Sequence, residues 1–288
     1  MIKKFIQKWL NRFKKTAVNG ESLKILISCN DFSYLSGSPM YVYTLAKELV
    51  DMGNEVTIYS KIGGLITKKA RQAGIEVIDK LDKKRKFDVM HLNQNWSAHV
   101  LDIYDIPAIY TIHSKFECEN PVKDERIKKY IAIRPSIAQK WSIDAEIIYN
   151  PIDFSRFHEY PTPKEDLILF VGTIDPLRKQ SAMHLLASGK RCRFVGQKFD
   201  SWADNLDNWF DATWDIEKHL KEATATAGIM LGRTTLEGFA CGLPAIIYDV
   251  DEQGNIKSFD THEVPEDMSK FDSKLVAKKI LNIYNAVI

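Results

Sequence analysis

Four cysteines are spread over 288 residues, Cys29, Cys118, Cys192 and Cys241, with no CxxC pair among them. Such sparse, separated thiols exclude a zinc ribbon and a dense disulfide framework. Cys29, Cys192 and Cys241 sit in apolar stretches, where a free buried thiol is the simple reading. No apolar run reaches the ~18–20 residues that a membrane-spanning helix needs. The first segment lacks the continuous apolar core of a secretory leader, so a reducing cytosol is the expected compartment. The seven histidines show no HExxH or other ligand spacing. Asp249-Val250-Asp251 matches a metal-binding DxD, but paired carboxylates after a strand more often shape a turn, and no metal is expected. GxGxxG is missing, which removes the dinucleotide fingerprint. There is no short repeat and no low-complexity tract.

A dominant charge sign is lacking too, with 40 Lys+Arg against 38 Asp+Glu, but the balance is uneven along the chain. Residues 1–20 carry six bases (Lys3, Lys4, Lys8, Arg12, Lys14, Lys15) and no acid, so this segment is +6 and the remainder −4. Ile2, Phe5, Ile6, Trp9, Leu10 and Phe13 recur at helical spacing, with the bases on the other face. A basic amphipathic helix over 1–20 is expected. It either lies on an anionic membrane surface through residues 1–15 or packs its apolar stripe on protein. Cytoplasmic, with peripheral contact at the inner face of a membrane, is the matching location.

From Lys24 onward short apolar runs alternate with helical stretches. Strands are expected at Lys24–Cys29, Val56–Ser60, Glu76–Ile78, Asp88–Leu92, Ala108–His113, Tyr130–Ile133 and Glu146–Tyr149, with a helix over about Met40–Met52 closed by Gly53. Asn150-Pro151-Ile152-Asp153 interrupts the rhythm. It resumes with strands at Leu167–Val171, Arg193–Val195, Ala212–Trp214, Gly228–Leu231 and Ala245–Tyr248, and helices near Lys179–Ser188, Ile216–Thr224, Thr234–Cys241 and Ser273–Ala286. Continuous apolar strands alternating with helices imply parallel sheets covered on both faces. The expectation is α/β, with two Rossmann-like domains at 21–150 and 151–288 behind the N-terminal helix.

Ligands in such folds bind beyond the carboxyl ends of the strands. The loop Asn30–Pro39, which includes Gly37 and Ser38, is longer than a structural turn needs and is a candidate ligand contact. His113 ends a strand at that edge, where a structural and a functional role are equally open. Gly172-Thr173-Ile174-Asp175-Pro176-Leu177-Arg178-Lys179 leads from a strand into a helix. Gly172 permits close approach, and Arg178 with Lys179 adds cations to a helix N-terminus that already favours anions. Two adjacent cations would repel there unless an anion visits. In Gly232-Arg233-Thr234-Thr235-Leu236-Glu237-Gly238-Phe239-Ala240-Cys241-Gly242-Leu243-Pro244, Thr234 reads as an N-cap and Glu237 as a first-turn acid. Glu237 either complements the helix dipole or holds ribose hydroxyls. The run Lys83-Lys84-Arg85-Lys86 reads as a solvated loop.

In this order the pieces resemble the retaining glycosyltransferases of family 4, which have the GT-B fold, over about residues 24–256. Gly37 through Gly53 with Asn54-Glu55-Val56-Thr57 is similar to the family's glycine loop, helix and "G-H-E-V-T" strand. Thr111-Ile112-His113 matches its N-domain histidine, and Asn150-Pro151-Ile152-Asp153 its "N-G-I-D" hinge. Phe170-Val171-Gly172-Thr173 with Arg178-Lys179 resembles "F-V-G-R…K-G", and Leu236–Pro244 resembles "L-E-A-M-A-C-G-L-P".

The resemblance implies two Rossmann-like domains with parallel sheets facing a cleft. It implies a nucleotide-diphosphate sugar, UDP- or GDP-linked, as co-substrate, and no cofactor or metal. By it Glu237 binds ribose, Arg178 or Lys179 the diphosphate, and His113 the transferred sugar. Gly37, Ser38, Gly172 and Thr173 are the other candidate donor contacts, and Arg233, Thr234 or Thr235 are candidates to replace the donor-sugar contact of the glutamate that the family has at Ile229. The acceptor is expected to be a glycan or lipid-linked hydroxyl. The leaving diphosphate gains charge as the glycosidic bond breaks, and preorganised cations and helix N-termini can stabilise it.

The chain departs from the pattern at Ile229, eight positions before Glu237, where the family has a second glutamate. It departs also at Thr173 (Arg in the family), Gln180 (Gly) and Ser38 (Gly). The C-terminal half is short, so the helices that cross back are expected to be trimmed. Thr173 and Ile229 motivate a second reading, a non-catalytic sugar-nucleotide or glycan-binding protein. A nucleic-acid-modifying enzyme is less favoured, because the −4 remainder supplies no broad basic face.

Overall fold

The computed structural model describes residues 22–161, 165–173, 175–205 and 208–288. The helix expected over 1–20 lies outside them. The described chain forms two compact units, one of residues 22–34, 38–151 and 273–288, the other of 35–37 and 152–272.

The first unit begins with β1 (Lys24–Cys29), whose residues from Ile25 onward are all buried. A strand covered on both faces needs no polar alternation, which is why KILISC reads as a continuous run. There follow β2 (Asp31–Phe32), α1 (Gly37–Asp51), β3 (Glu55–Tyr59), β4 (Ile62–Gly63), α2 (Leu65–Gln72) and β5 (Glu76–Ile78). Then come β6 (Val89–Asn93), β7 (Ala108–Ile112), β8 (Ile127–Ala132), α3 (Pro135–Trp141) and β9 (Ala145–Ile147). Seven strands form one parallel sheet in the order β5-β3-β1-β6-β7-β8-β9, while β2 and β4 pair separately. All seven expected strands are present; Lys24–Cys29 and Glu76–Ile78 have the expected ends and the other five are shifted.

Gly53 closes the first helix as expected. Its φ is +93°, its N–H donates to the Val50 carbonyl at 2.9 Å, and the N–H of Asn54 donates to that of Leu49 at 3.1 Å. A left-handed residue with such reversed bonds satisfies the carbonyls a helix end leaves open.

The helix Ser273–Val287, expected with the second half, belongs to the first unit. It buries Ser273, Val276, Ala277, Ile280 and Tyr284, an i, i+3, i+4 stripe. Ser273 Oγ donates to Glu48 Oε1 at 2.8 Å, and Lys279 Nζ lies 3.1 Å from Glu146. The shortness of the C-terminal half therefore does not remove the crossing helix.

The second unit contains β10 (Ile168–Val171), α4 (Pro176–Ala187), β11 (Cys192–Val195), β12 (Trp209–Phe210) and α5 (Glu217–Leu220). It continues with β13 (Ala225–Ile229), α6 (Arg233–Ala240), β14 (Ala245–Val250) and β15 (Ile256–His262). The sheet order is β12-β11-β10-β13-β14-β15, parallel except for β15.

Two expectations fail here, and one strand is new. Ala212–Trp214 is not a strand. The edge strand is Trp209–Phe210, because Trp209 packs on the core around Phe170 and Phe194 while the Trp214 ring carries the Arg156 guanidinium at 4.9 Å. The helix expected over Ile216–Thr224 is only Glu217–Leu220. Strand β15 was not foreseen. All its residues but the first are exposed, and backbone pairing with β14 defines it without an apolar pattern.

Both sheets reverse direction in the middle. In the first, successive strands run outward from β1 and then from β6. In the second they run from β10 and then from β13. The gaps β1/β6 and β10/β13 are the topological switch points, and a crevice forms beyond their carboxyl ends.

Candidate functional site

In the second unit the two candidate segments flank one switch point. The loop after β10 holds Gly172, Thr173 and Asp175 and enters α4. The loop after β13 enters α6 with Arg233, Thr234, Thr235 and Glu237. Because β10 and β13 are paired neighbours, the two segments lie side by side, and Thr234 Oγ1 donates to the Val171 carbonyl at 3.4 Å.

Gly172 allows a close approach from within the protein. A Cβ there would lie 2.8 Å from Arg178 Nε, and a Cβ on Gly196, beyond β11, would lie 1.7 Å from the Gly172 carbonyl oxygen. Sequence reasoning missed Gly196, although a glycine directly after a strand is a recognised sign of close backbone approach.

The anion that Arg178 and Lys179 call for is already supplied. Asp175 caps α4 by accepting from the Arg178 N–H at 3.1 Å, and it pairs with the Arg178 guanidinium at 2.6 Å. Burial pulls the Arg178 guanidinium below its ordinary range, against the Asp175 charge. Lys179 is exposed on the outer side of this turn. The repulsion inferred from sequence therefore does not arise.

Two readings of α6 change. Its cap is Gly232, in an extended conformation, and Thr234 lies inside the helix. Glu237 is consequently past the first turn, too far in to complement the dipole. Its Oε1 instead accepts from Arg233 Nε at 2.7 Å, one turn back, with side-chain exposures of 6% and 5%. Burial pushes the Glu237 carboxyl up, opposed by the Arg233 and Arg156 charges, and it pulls the Arg233 guanidinium down. An arginine keeps its charge under such conditions. The Arg178–Asp175 pair, with side-chain exposures of 23% and 25%, lies between the surface and the buried case. Removing one member of a buried pair costs about 3–5 kcal/mol, so Arg233–Glu237 is the pair on which the local structure depends.

Arg156 was not anticipated. Its guanidinium donates to Glu217 Oε2 at 2.7 Å and to the Trp214 carbonyl, and lies 4.9 Å from the Phe157 and Trp214 ring centres. A single arginine in a polar stretch carries no sequence signal for this role.

At the strand end before α6, Met230 adopts φ +60°. Left-handed backbone at a residue other than glycine is costly and concentrates at functional sites. Ile229, where the family resemblance would have a glutamate, packs with Tyr248 and Val250 in an apolar cluster.

Gly37, grouped with the second unit, and Ser38, in the first, open α1, and a Cβ on Gly37 would meet nothing within 4 Å. The preceding loop is partly structured by β2 and by the Asp31 carboxylate, which accepts from the Ser33 N–H at 2.8 Å. His113 follows β7. Its Nε2 lies 2.9 Å from Asn93 Oδ1 at the end of β6, and its ring meets the Tyr41 ring edge-on at 4.9 Å. Below it a buried polar chain links Tyr284 OH to His91 Nδ1 (2.7 Å), and His91 Nε2 to Thr111 Oγ1 (2.7 Å). Burial pushes both His91 and His113 down to about 3.

Other sequence features resolve simply. Asp251 shapes a turn, accepting from the N–H groups of Gln253 (2.9 Å) and Asn255 (2.8 Å). Arg85 is not merely solvated, because it donates to Glu76 Oε1 at 2.9 Å and Thr57 at 3.1 Å. Cys29, Cys192 and Cys241 are free and buried. Among the described residues no group of three or more His, Cys, Asp or Glu side chains is placed to hold a metal ion, and no helix is long and apolar enough to cross a membrane.

No family model and no curated protein matches the chain. Solved structures do. A glycosyltransferase from Rickettsia africae ESF-5 is 14% identical, covering 93% of this chain and 99% of its own, with a TM-score of 0.63. HepE from Anabaena, in complex with UDP and glucose, is 13% identical over 92% of this chain and 98% of its own, with a TM-score of 0.64. An alpha-glucosyltransferase in complex with UDP and a 13-mer DNA is 13% identical over 79% of this chain and 80% of its own, with a TM-score of 0.56. At these identities the likeness establishes the fold, an α/β fold with parallel-sheet Rossmann-like units matching GT-B glycosyltransferases.

Proposed function

We propose that the chain is a glycosyltransferase that moves a sugar from a nucleoside diphosphate sugar to an acceptor hydroxyl. The observation carrying this is the buried Arg233–Glu237 pair on the helix that starts at the carboxyl-end switch point of the second sheet, where Thr234 bonds to the strand leading into the Gly172–Arg178 loop. It is supported by fold neighbours solved with UDP. In this reading Glu237 takes the ribose hydroxyls while Arg233 keeps it ionised and oriented. Arg178, Lys179 and the backbone at Gly172 and Thr173 receive the diphosphate, with Thr234 and Thr235 beside them. The glycosidic C1–O bond breaks with its electron pair passing to the diphosphate. The acceptor oxygen bonds to C1, and the acceptor's proton goes to a diphosphate oxygen. Fixed cations and N–H groups aimed at the departing charge lower the barrier.

Retention, family-4 membership and independence of metal follow from the sequence resemblance and are part of the proposal. So are a glycan or lipid-linked acceptor, met on the first unit near Gly37, Ser38 and His113, and a cytoplasmic site of action. Contact of residues 1–15 with an anionic membrane is also proposed. It predicts that deleting residues 1–20 abolishes binding to anionic liposomes, and undiminished binding refutes it. Release of nucleoside diphosphate across a panel of UDP- and GDP-sugars, with and without chelator, tests the transfer itself.

Ile229 in its apolar cluster favours a second reading, a sugar-nucleotide-binding protein without turnover. Nucleotide binding with no release from any donor would decide for it. A nucleic-acid acceptor is less favoured on charge, although fold neighbours are solved with DNA.

A further inference from the structure

Asn93 ends β6 at the switch point of the first sheet, and its side chain fixes the chemistry of His113. The Asn93 Nδ2 donates to the His91 carbonyl at 3.5 Å, which turns Oδ1 toward His113 Nε2, 2.9 Å away. The reverse orientation would set two carbonyl oxygens against each other. An amide oxygen only accepts, so Nε2 carries the ring proton and Nδ1 keeps its lone pair. The Tyr41 ring, edge-on at 83°, holds the imidazole plane.

We propose that Asn93 is a positioning residue that locks His113 in the Nε2-protonated tautomer and so leaves Nδ1 as a neutral hydrogen-bond acceptor for a hydroxyl of the acceptor substrate met on the first unit. The hydroxyl partner rests on the transfer reading above; the tautomer does not. A ring held this way reads a donor group. It favours an acceptor substrate with a hydroxyl at that position over one with a carboxylate there, whose oxygens would face the lone pair.

The surroundings keep the ring neutral. From β6 it faces His91, itself depressed to about 3 by burial and then by the His113 charge. From α1 it faces Tyr41, raised by burial. Beyond His91 stands Tyr284 of the C-terminal helix, raised well above its ordinary value by burial. His113 is pushed down to about 3 by burial. It therefore does not act as an acid near neutral pH.

The test is two-bond ¹⁵N–¹H correlation of the histidine rings in the full chain labelled with ¹⁵N-histidine, the His113 signals assigned by their loss in His113→Asn. A protonated Nε2 and an unprotonated Nδ1, unchanged from about pH 7 to pH 5, are expected, because a ring depressed this far does not titrate there. The opposite tautomer or an imidazolium would overturn the proposal. Asn93→Asp, of nearly the same shape, sets a carboxylate against Nε2 and is expected to raise the ring's midpoint by about 1–3 units. Asn93→Leu removes the acceptor and is expected to give mixed tautomers. An unchanged ring in both variants would overturn the role of Asn93. No substrate is needed for these readings. A chain that releases no nucleoside diphosphate would thus refute the transfer reading while leaving the tautomer result standing.

Discussion

The two units solve the same problem, polar groups held at or against a parallel sheet, with different chemistry. In the first, neutral side chains satisfy one another: Tyr284 with His91, His91 with Thr111, and His113 with Asn93. In the second, opposite charges are paired: Asp175 with Arg178, Glu217 with Arg156, and Glu237 with Arg233. A neutral network in a dry core costs little to maintain, but it fails when a member is protonated. A charged network holds anion-binding cations in place, but it fails when one partner is removed.

The sharpest way to break the comparison is pH. His91 and His113 stay neutral in the fold down to about 3, whereas an unfolded histidine takes a proton near its ordinary value. The unfolded chain therefore binds more protons below that value, and stability must fall as pH drops from about 6.5 toward 3, by about 1.4 kcal/mol per pH unit for each such histidine. Urea unfolding between pH 7 and pH 4 should show this slope, and His91→Gln should flatten it; an equal slope in the variant would remove His91 as the source.

The next effect belongs to the second unit. Arg233→Met leaves Glu237 buried and unpaired, and should cost about 3–5 kcal/mol in denaturant unfolding, with part recovered in Arg233→Met/Glu237→Leu. Glu237→Gln, rather than Glu237→Ala, is the better probe of ribose binding, because it loses the charge but its amide oxygen still accepts from Arg233 Nε, whereas alanine removes the acceptor as well. A smaller effect is expected for Tyr284→Phe, which leaves His91 Nδ1 without its partner and should cost about 1–3 kcal/mol. A Tm equal to the parent's would show that the first network is dispensable. The smallest is Lys179→Ala. Exposed on α4, Lys179 should leave Tm unchanged, while donor KM rises if it meets the diphosphate.

Much of this was legible in the sequence, and the gaps have physical causes. Strands such as Lys24–Cys29 announce themselves because burial on both faces demands an unbroken apolar run. The exposed strand Ile256–His262 could not, since backbone pairing is indifferent to its side chains. Glu237 and His113 were visible by their place at strand and helix ends. Their partners are read incompletely from sequence: Asp175 reads as loop and not as cap, and Arg156 and Asn93 carry no reading at all. Pairing across elements leaves no local pattern, and a cap at Gly232 rather than Thr234 shifts every position of α6 by two.

The contact between His91 and Tyr284 closes over 193 residues. During synthesis the first unit's strands emerge from the ribosome long before the helix that covers them. Until then His91 has no phenol to meet, and the surface that later accepts Val276, Ala277 and Ile280 is open to water. The first unit cannot finish folding as it is made, and a fragment ending at residue 151 would keep that apolar face exposed and associate through it.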